Sequence, residues 1–151
     1  MKTQVQISIS GSKEKIWNVI SDIEDSVNTI ESIQEVNILE KPESGLVGLK
    51  WTEKRVLFGK EATETMWISE ALPNEFYLTQ AESHGSVYTT RVFISTNANE
   101  NILAMEFAAH PQSFGAKIMW GLMGFIFKNA TKKALQKDLE DIKKVVEGNR
   151  N

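Results

Sequence analysis

The sequence contains few side chains that could carry acid–base chemistry at neutral pH. Its two histidines are His84 and His110, which stand at predicted strand ends beside Gly85 and Pro111. Histidine is the side chain whose ordinary pKa lies near neutrality. Neither histidine belongs to a spaced cluster, so we interpret both as solvated turn residues and assign no catalytic residue.

Other common catalytic and metal-binding patterns are missing. The chain has no cysteine, which excludes disulfides, thiolate catalysis and zinc–thiolate sites. It also lacks a His-Glu-x-x-His zinc motif, a Gly-x-Ser-x-Gly nucleophile elbow, a phosphate-binding Gly-Lys-Ser/Thr loop and a Gly-x-Gly-x-x-Gly dinucleotide turn. We therefore expect no metal site and no cofactor.

Charged residues alternate with apolar ones on the predicted strands, at Glu53, Arg55, Glu64, Arg91 and Glu106. If Arg91 projects inward, it can anchor a carboxylate or phosphate group, with Glu64 or Glu53 as its charge partner. A desolvated arginine needs such a partner or a ligand. The alternative, which we favour, places these charges in cross-strand pairs on a convex, solvated face. A one-residue slip in register reverses every assignment.

Sequence periodicity predicts the elements that position these side chains. Alternation over 4–10 predicts a first strand, Ser12 caps a helix that ends near Asp22, and a second short helix or turn follows over 25–30. Turn residues then separate six predicted strands: 33–41, 48–58, 61–71, 76–83, 86–96 and 101–109. Because the connections are short, we expect an antiparallel meander. A long helix that carries Phe114 and ends at Val146 follows it.

The long helix has two different halves. Its second half carries one apolar stripe, formed by Leu135, Leu139, Ile142 and Val146, whereas residues 118–127 are apolar on every side. A helix that covers a core needs only one such stripe. The apolar residues that fall partly or wholly off the stripe are Met119, Leu122, Phe125 and Ile126. These residues could cover a ligand, lie on a membrane surface or pack against another subunit, in which case a homodimer is possible. The alternative is that the whole helix lies deep in the core.

Composition sets the outer limits. With 151 residues and 41% hydrophobic content, the chain is expected to form one globular domain over residues 1–151. The net charge of −3 with scattered lysines predicts no nucleic-acid partner. The ten-residue apolar run is about half the length of a membrane span, so we expect none. The N-terminus lacks the apolar core of a secretion signal, which predicts a cytoplasmic protein.

These elements predict an α+β fold with a cavity. Seven antiparallel strands have only one long helix to cover them, so the sheet should curl around that helix and leave space beneath it. Methionine and aromatic side chains suit such an adaptable apolar pocket. The candidate ligand-binding residues are Trp51, Met66, Arg91, Met105, Phe107, Phe114, Met119, Trp120, Met123 and Phe127.

Three segments resemble those of a known superfamily. They are the opening Val5-x-Ile-x-Ile-Ser-Gly-Ser-x-Glu-x-Ile-Trp17-x-Val-Ile-Ser-Asp22, the Val47-Gly48-x-x-Trp51 strand, and Ile68-x-Glu70-x-Leu-Pro73-x-x-Phe76. Together with the element order, they resemble the START-like, or SRPBCC, superfamily, in its polyketide cyclase/dehydrase and lipid-transport-like branch. The resemblance implies a helix-grip fold, in which a curved seven-stranded antiparallel sheet wraps a long C-terminal helix and two short helices follow the first strand.

The resemblance also implies a deep, mostly apolar cavity between sheet and helix. We expect the partner to be a small hydrophobic molecule, such as a lipid, fatty acid, isoprenoid or polyketide-like compound. Two alternatives stay open. One is a cyclase- or dehydratase-type enzyme that acts on such a molecule through a buried carboxylate, His or Tyr. The other is an interaction module that uses the apolar helix face.

Overall fold

The computed structural model describes residues 1–57, 59–83 and 85–148. The elements follow the predicted order, and their bounds are β1 Lys2–Ile9, α1 Lys13–Ile20, α2 Ser26–Thr29, β2 Ile33–Glu40, β3 Lys50–Leu57, β4 Lys60–Leu72, β5 Phe76–Ser83, β6 Ser86–Asn97, β7 Glu100–Pro111 and α3 Phe114–Val146. The α+β class and the helix-grip architecture are confirmed.

All seven strands form one antiparallel sheet in the order β1-β7-β6-β5-β4-β3-β2. The six strands after α2 are therefore the predicted meander, and β1 returns to pair with β7 at the far edge. Register shifts interrupt the β2–β3 pairing twice and the β4–β5 pairing once, between Ile68 and Glu70. Such bulges bend a strand and increase its twist, which curls the sheet around α3.

The turn between β6 and β7 is tighter than the sequence suggested. The predicted strands 86–96 and 101–109 leave four residues between them, but only Ala98 and Asn99 separate β6 from β7, with φ of 47° and 74°. Positive φ at both central residues is typical of the two-residue turn that matches the twist of a hairpin. Asparagine tolerates this conformation better than alanine does, so Ala98 was not an evident turn residue.

Serine residues are the N-caps of α1 and α3. Ser12 Oγ accepts a hydrogen bond from the Lys15 backbone N–H at 3.1 Å, as predicted for α1. Ser113 Oγ accepts one from the Ala116 N–H at 3.1 Å, which fixes where α3 starts. Each bond satisfies a backbone donor that a helix start leaves unpaired.

The second half of α3 packs into the main core through the predicted stripe. Leu139, Ile142 and Val146 are buried there among Ile16 of α1 and Leu103 of β7. Two bonds tie this end of α3 to the first strand region: Lys143 Nζ donates to the Ser8 carbonyl at 2.9 Å, and Glu147 Oε2 accepts from the Ser10 N–H at 2.8 Å. This half of the helix therefore holds the fold together.

The first half of α3 is not sunk in the core. Its inner side faces the sheet, whereas a set of large apolar side chains that we call the outer face stays exposed. The outer face consists of Phe114, Ile118, Leu122, Phe125 and Ile126. The interpretation as a deeply buried helix is therefore wrong. The prediction of a second apolar face is correct, and within the described chain that face has no cover.

Candidate functional site

A cavity lies between the curved sheet and the inner side of α3. Its volume is about 360 Å³, and it is partly open to solvent. Its walls come from α1, α2, every strand from β2 to β7, and α3. Apolar side chains predominate, and they include Ile20, Ile23, Ile30, Leu57, Met66, Val92, Met105 and Leu135.

Seven of the ten predicted ligand-binding residues line this cavity: Trp51, Met66, Met105, Phe107, Met119, Trp120 and Phe127. They come from three strands, β3, β4 and β7, and from α3, and the folded chain brings them together around one space. Whether they contact a ligand stays a prediction.

Arg91, Phe114 and Met123 do not line the cavity. Arg91 belongs to the opposite face of β6, where its guanidinium lies 4.8 Å from the ring centre of Phe76 and 5.0 Å from that of Phe93. Phe114 is 80% exposed at the start of α3. A helix turns about 100° per residue, so Phe114, six residues before Trp120, points away from the side that carries Trp120 and Phe127. Met123 is four residues before Phe127 and lies closer to that side, but it is 40% exposed and outside the lining.

The solvated-face interpretation of the strand charges is correct for some residues and wrong for others. Arg91 and Glu106 stand opposite each other on neighbouring strands and outside the cavity lining, as favoured from sequence, and Glu106 pairs with Lys2 at 3.4 Å. Glu53 and Arg55 instead line the cavity with Trp51, and so does Glu64 of β4. Side chains two residues apart on a strand share a face, so the inward position of Trp51 brings Glu53 and Arg55 inward too.

A buried polar triad of Glu53, Arg55 and Asp138 crosses the cavity from sheet to helix. Arg55 Nε donates to Glu53 Oε2 at 2.6 Å, and Arg55 Nη1 donates to Asp138 Oδ2 at 2.8 Å. Arg55 Nη1 also donates to Ser32 Oγ at 3.1 Å, and Trp51 Nε1 lies 3.4 Å from Glu53 Oε1. The triad thus places charged groups inside an otherwise apolar chamber.

Burial and charge shift the pKa values of this region in defined directions. Burial alone lowers the pKa of Arg55, but Asp138 and Glu53 together raise it above its ordinary value. Burial raises the pKa of Asp138, and the attraction of Arg55 opposes that rise. Burial and the charge of Glu53 raise the pKa of Tyr77, which also lines the cavity. Tyr77 is therefore a neutral phenol at physiological pH.

Aromatic rings form the cavity wall beneath the first half of α3. Trp120 packs edge-on against Phe127 at 5.3 Å and against Tyr88 at 6.5 Å between ring centres, and Tyr88 stacks on Phe107 at 5.8 Å. Trp120 Nε1 donates to Ser86 Oγ at 3.2 Å. This bond satisfies the one polar atom of the indole and fixes the orientation of the ring.

Sequence analysis missed Asp138 and Tyr77. Asp138 is three residues after Leu135 and four before Ile142, on the side of α3 that faces the cavity. An acidic residue at a position of an apolar stripe was the available signal, because a buried carboxylate requires a partner. For Tyr77 the signal was weaker, since a tyrosine on a strand is ordinary core material.

No metal site or spanning helix appears in the part of the chain that the structure describes. Within residues 1–57, 59–83 and 85–148, no group of three His, Asp or Glu side chains could hold an ion. His110 is exposed, and His84 lies outside these residues. Over the same residues, no helix combines the length and apolarity that crossing a bilayer requires.

Solved structures place this architecture among known folds. No protein-family model matches the chain, and comparison with curated proteins finds no match. A START superfamily protein from Mycobacterium smegmatis superposes with a TM-score of 0.79 at 14% identity, over 99% of both chains. The fold is that of the START superfamily.

Two further structures share this START fold. The Zhui aromatase/cyclase from Streptomyces sp. R1128 matches with a TM-score of 0.74 at 12% identity, over 97% of this chain and 93% of its own. The di-domain ARO/CYC BexL from the BE-7585A biosynthetic pathway matches with a TM-score of 0.78 at 10% identity, over 95% of this chain and 48% of its own. At such identities the likeness establishes the START fold alone.

Proposed function

We propose that this protein binds a small hydrophobic molecule of the lipid, isoprenoid or polyketide-like class between the sheet and α3. The observation that carries the proposal is the apolar cavity of about 360 Å³ beneath the first half of α3. Well-packed interiors leave few voids larger than a water molecule, and a cavity of this size is within the range of ligand sites. The START fold of the structural neighbours supports the same function.

The driving force would come from burial of apolar surface. Removing apolar area from water contributes about 25 cal/mol per Å², and the cavity offers methionines and aromatic rings that adapt to irregular shapes. Met66, Met105 and Met119 lie on three different elements around the space. Such a wall favours shape tolerance and hydrophobic contact over a dense hydrogen-bonding pattern.

Native mass spectrometry of protein purified from cells tests this function. We expect a bound apolar passenger, which organic extraction removes. Ala134→Trp, which adds a large side chain to the cavity wall, should abolish the bound mass. Ala130→Trp is the matched control, one turn earlier on α3 and outside the lining, and it should retain the passenger. Protein that arrives empty and binds no member of a sterol, isoprenoid and alkanol panel would contradict the proposal.

A second candidate function is acid–base chemistry on the bound molecule. The observation that favours it is the set of titratable groups in the lining, namely Glu53, Asp138 and the neutral phenol of Tyr77. A carboxylate can accept a proton from carbon, and a neutral acid can donate one to a leaving hydroxyl. The arrangement therefore suits dehydration of a β-hydroxy ketone.

Enone absorbance during incubation with 4-hydroxy-2-decanone measures this dehydration. An enzyme should exceed the buffer rate, and Asp138→Asn or Tyr77→Phe should return it to that rate while circular dichroism shows an intact fold. Natural protein at the buffer rate would argue against the enzyme and leave the binding function unaffected.

A further inference from the structure

The charged groups around the cavity are predominantly negative. Among the described residues that line it, the charged side chains are Glu53, Arg55, Glu64 and Asp138. Arg55 is the only cation of this set. Glu53 and Asp138 are only 8% and 3% exposed, so little solvent screens them. Within the triad alone, two carboxylates therefore face one cation beside the ligand space.

Most hydrogen-bonding groups of Arg55 are already occupied. Its Nε and Nη1 atoms bond to Glu53, Asp138 and Ser32, and among the described residues no acceptor reaches Nη2. Asp138 accepts through Oδ2 alone, and within the same part of the chain no donor reaches Oδ1. No described side-chain polar atom that is fully buried lacks a partner, so Nη2 and Oδ1 both keep accessible surface. The triad thus retains at least one donor atom, Nη2 of Arg55, and at least one acceptor atom, Oδ1 of Asp138.

A hydroxyl group matches this pair, because one oxygen both accepts and donates a hydrogen bond. A carboxylate or phosphate can only accept, and it would approach a guanidinium whose charge two carboxylates already offset. Like charges a few ångströms apart repel strongly where solvent screening is weak. The same repulsion is absent for an alcohol or phenol.

We propose that the triad of Glu53, Arg55 and Asp138 selects hydrophobic ligands whose inner polar group is a hydroxyl over those that carry a carboxylate or phosphate. The inference rests on the proposed binding function and specifies its ligand class. It also reverses the sequence-based expectation of a cationic anchor, since Arg91 lies on the other face and the inward Arg55 is neutralised.

Titration with 1-decanol and decanoate at pH 8 tests this selectivity, with tryptophan fluorescence as readout because Trp51 and Trp120 line the cavity. We expect decanol to bind at least tenfold more tightly. Glu53→Gln and Asp138→Asn keep the side-chain shape but each remove one negative charge, so either should reduce the difference. If neither variant folds, the affinities of the natural protein for decanol and for decanoate still test the selectivity.

The outcomes separate the two proposals. Decanoate that binds as tightly as decanol, or more tightly, overturns the selectivity and leaves the binding function standing. Failure of both ligands to bind overturns the binding function, and the selectivity with it.

An independent observation concerns the outer face of α3. Phe114, Leu122 and Phe125 are 80%, 77% and 78% exposed, and Ile118 and Ile126 are about half exposed. Contiguous apolar surface of this kind marks an interaction site on a water-soluble domain.

Positive charge surrounds this face. From Phe114 to Gln136 the helix carries four lysines, at positions 117, 128, 132 and 133, and no acidic residue, although the whole chain has a net charge of −3. Lys137, which follows, pairs with Glu31 and Asp141. Lys132 and Lys133 follow Phe125 and Ile126 by seven residues, which places them on the same side two turns later. A second copy of the chain would bring two such lysine-rich segments together, which disfavours a homodimer through this face.

We propose that the outer face docks on an anionic lipid surface. Apolar side chains would enter the boundary between head groups and acyl chains, and the lysines would meet lipid phosphates. Met119 and Trp120 line the cavity on the other side of the same helix turns. Docking would therefore bring one wall of the ligand cavity to the membrane surface.

Cosedimentation with vesicles tests the docking, using phosphatidylcholine alone and phosphatidylcholine mixed with phosphatidylglycerol. We expect binding to the mixed vesicles that weakens as salt increases. Leu122→Asp combined with Phe125→Asp should reduce the partition at least tenfold. Leu72→Asp, at an exposed leucine of β4 that is 52% accessible, is the matched control and should leave it unchanged.

Two results would overturn this docking. One is the absence of binding to mixed vesicles at low salt, or binding that the double substitution leaves intact. The other is a dimer in sedimentation velocity that the double substitution dissociates, since the face would then belong to a second copy.

Discussion

Replacing Arg55 by methionine tests whether the triad is a coupled unit. The substitution removes two charge-assisted hydrogen bonds, at 2.6 Å to Glu53 and 2.8 Å to Asp138, and leaves both carboxylates without their cation. Hydrogen bonds to charged groups contribute about 1.5–3 kcal/mol each, and breaking a buried ion pair from one side costs about 3–5 kcal/mol. We therefore expect Arg55→Met to lower the free energy of unfolding by about 3–5 kcal/mol, measured in urea at pH 8.

The pH dependence gives the same variant a second signature. Burial already raises the pKa of Asp138, and loss of Arg55 removes the attraction that opposes the rise. A carboxyl whose pKa is higher in the folded than in the unfolded state destabilises the fold as the pH rises through the folded value. The stability difference between Arg55→Met and the natural protein should therefore shrink as the pH falls from 8 to 5.

A matched triple variant separates coupling from packing. Glu53→Met, Arg55→Met and Asp138→Leu together replace the triad by apolar side chains, and such replacements are often neutral or stabilising. We expect the triple variant to lie within about 2 kcal/mol of the natural protein. The reasoning is refuted if Arg55→Met unfolds within about 1 kcal/mol of the natural protein at pH 8, or if the triple variant is as unstable as the single one.

Three further predictions use matched pairs or a spectroscopic readout. Gly85→Ala should lower the free energy of unfolding in urea more than Gly59→Ala does. Both glycines have φ of +76°, but only at Gly85 would a Cβ lie 2.4 Å from the Ser113 hydroxyl that caps α3. Equal losses would contradict this clash. Leu139→Ala should cost about 2–5 kcal/mol in the same assay, whereas Leu122→Ala, at a side chain 77% exposed, should stay within about 0.5 kcal/mol; similar losses would mean that the two halves of α3 pack alike. The phenol of Tyr77 should ionise only above the range of an unfolded tyrosine, so its contribution to stability is present below about pH 10 and lost as the pH rises through the folded pKa. Absorbance at 295 nm should accordingly stay lower in native than in urea-unfolded protein near pH 11, and coincident titrations would contradict the burial.

The fold was predictable because its signals are local. Alternating apolar residues, turn residues and one amphipathic helix determine the order of ten elements, and the structure keeps that order. The bounds were less predictable, since a strand end depends on its neighbour. β7 extends to Pro111, two residues beyond its predicted end, because Pro111 pairs with Ser86 of the adjacent strand.

The candidate site was predictable only in its apolar part. Methionine and aromatic residues on the strands and on α3 indicated a cavity, and most of those named do line it. The triad joins residues 83 positions apart, so no local pattern connects Arg55 with Asp138. The inward orientation of Glu53 and Arg55 was nevertheless predictable, because side chains two residues apart on a strand share a face and Trp51 was expected to point inward.

The glycines of α3 show how the two halves of this helix divide their tasks. Gly121 and Gly124 stand in the interior of α3, where glycine is unfavourable unless another element approaches closely or the chain needs freedom there. A Cβ at Gly121 would meet no atom within 4 Å, and one at Gly124 would meet only the Trp120 ring at 3.6 Å. Close approach by another element of this chain is therefore not their role.

We infer that Gly121 and Gly124 give the first half of α3 conformational freedom. Each glycine lowers helix stability by about 1 kcal/mol relative to alanine, in the segment that lies over the cavity and away from the packed core. A helix segment that contributes little to the core can shift with little loss of global stability. The second half is anchored by the buried Leu139 and Val146. We infer that the first half would adjust to the proposed ligand while the second half holds the fold. Alanine at both glycines should therefore raise overall stability yet slow the exchange of decanol, measured by stopped-flow fluorescence, and faster exchange would contradict this division.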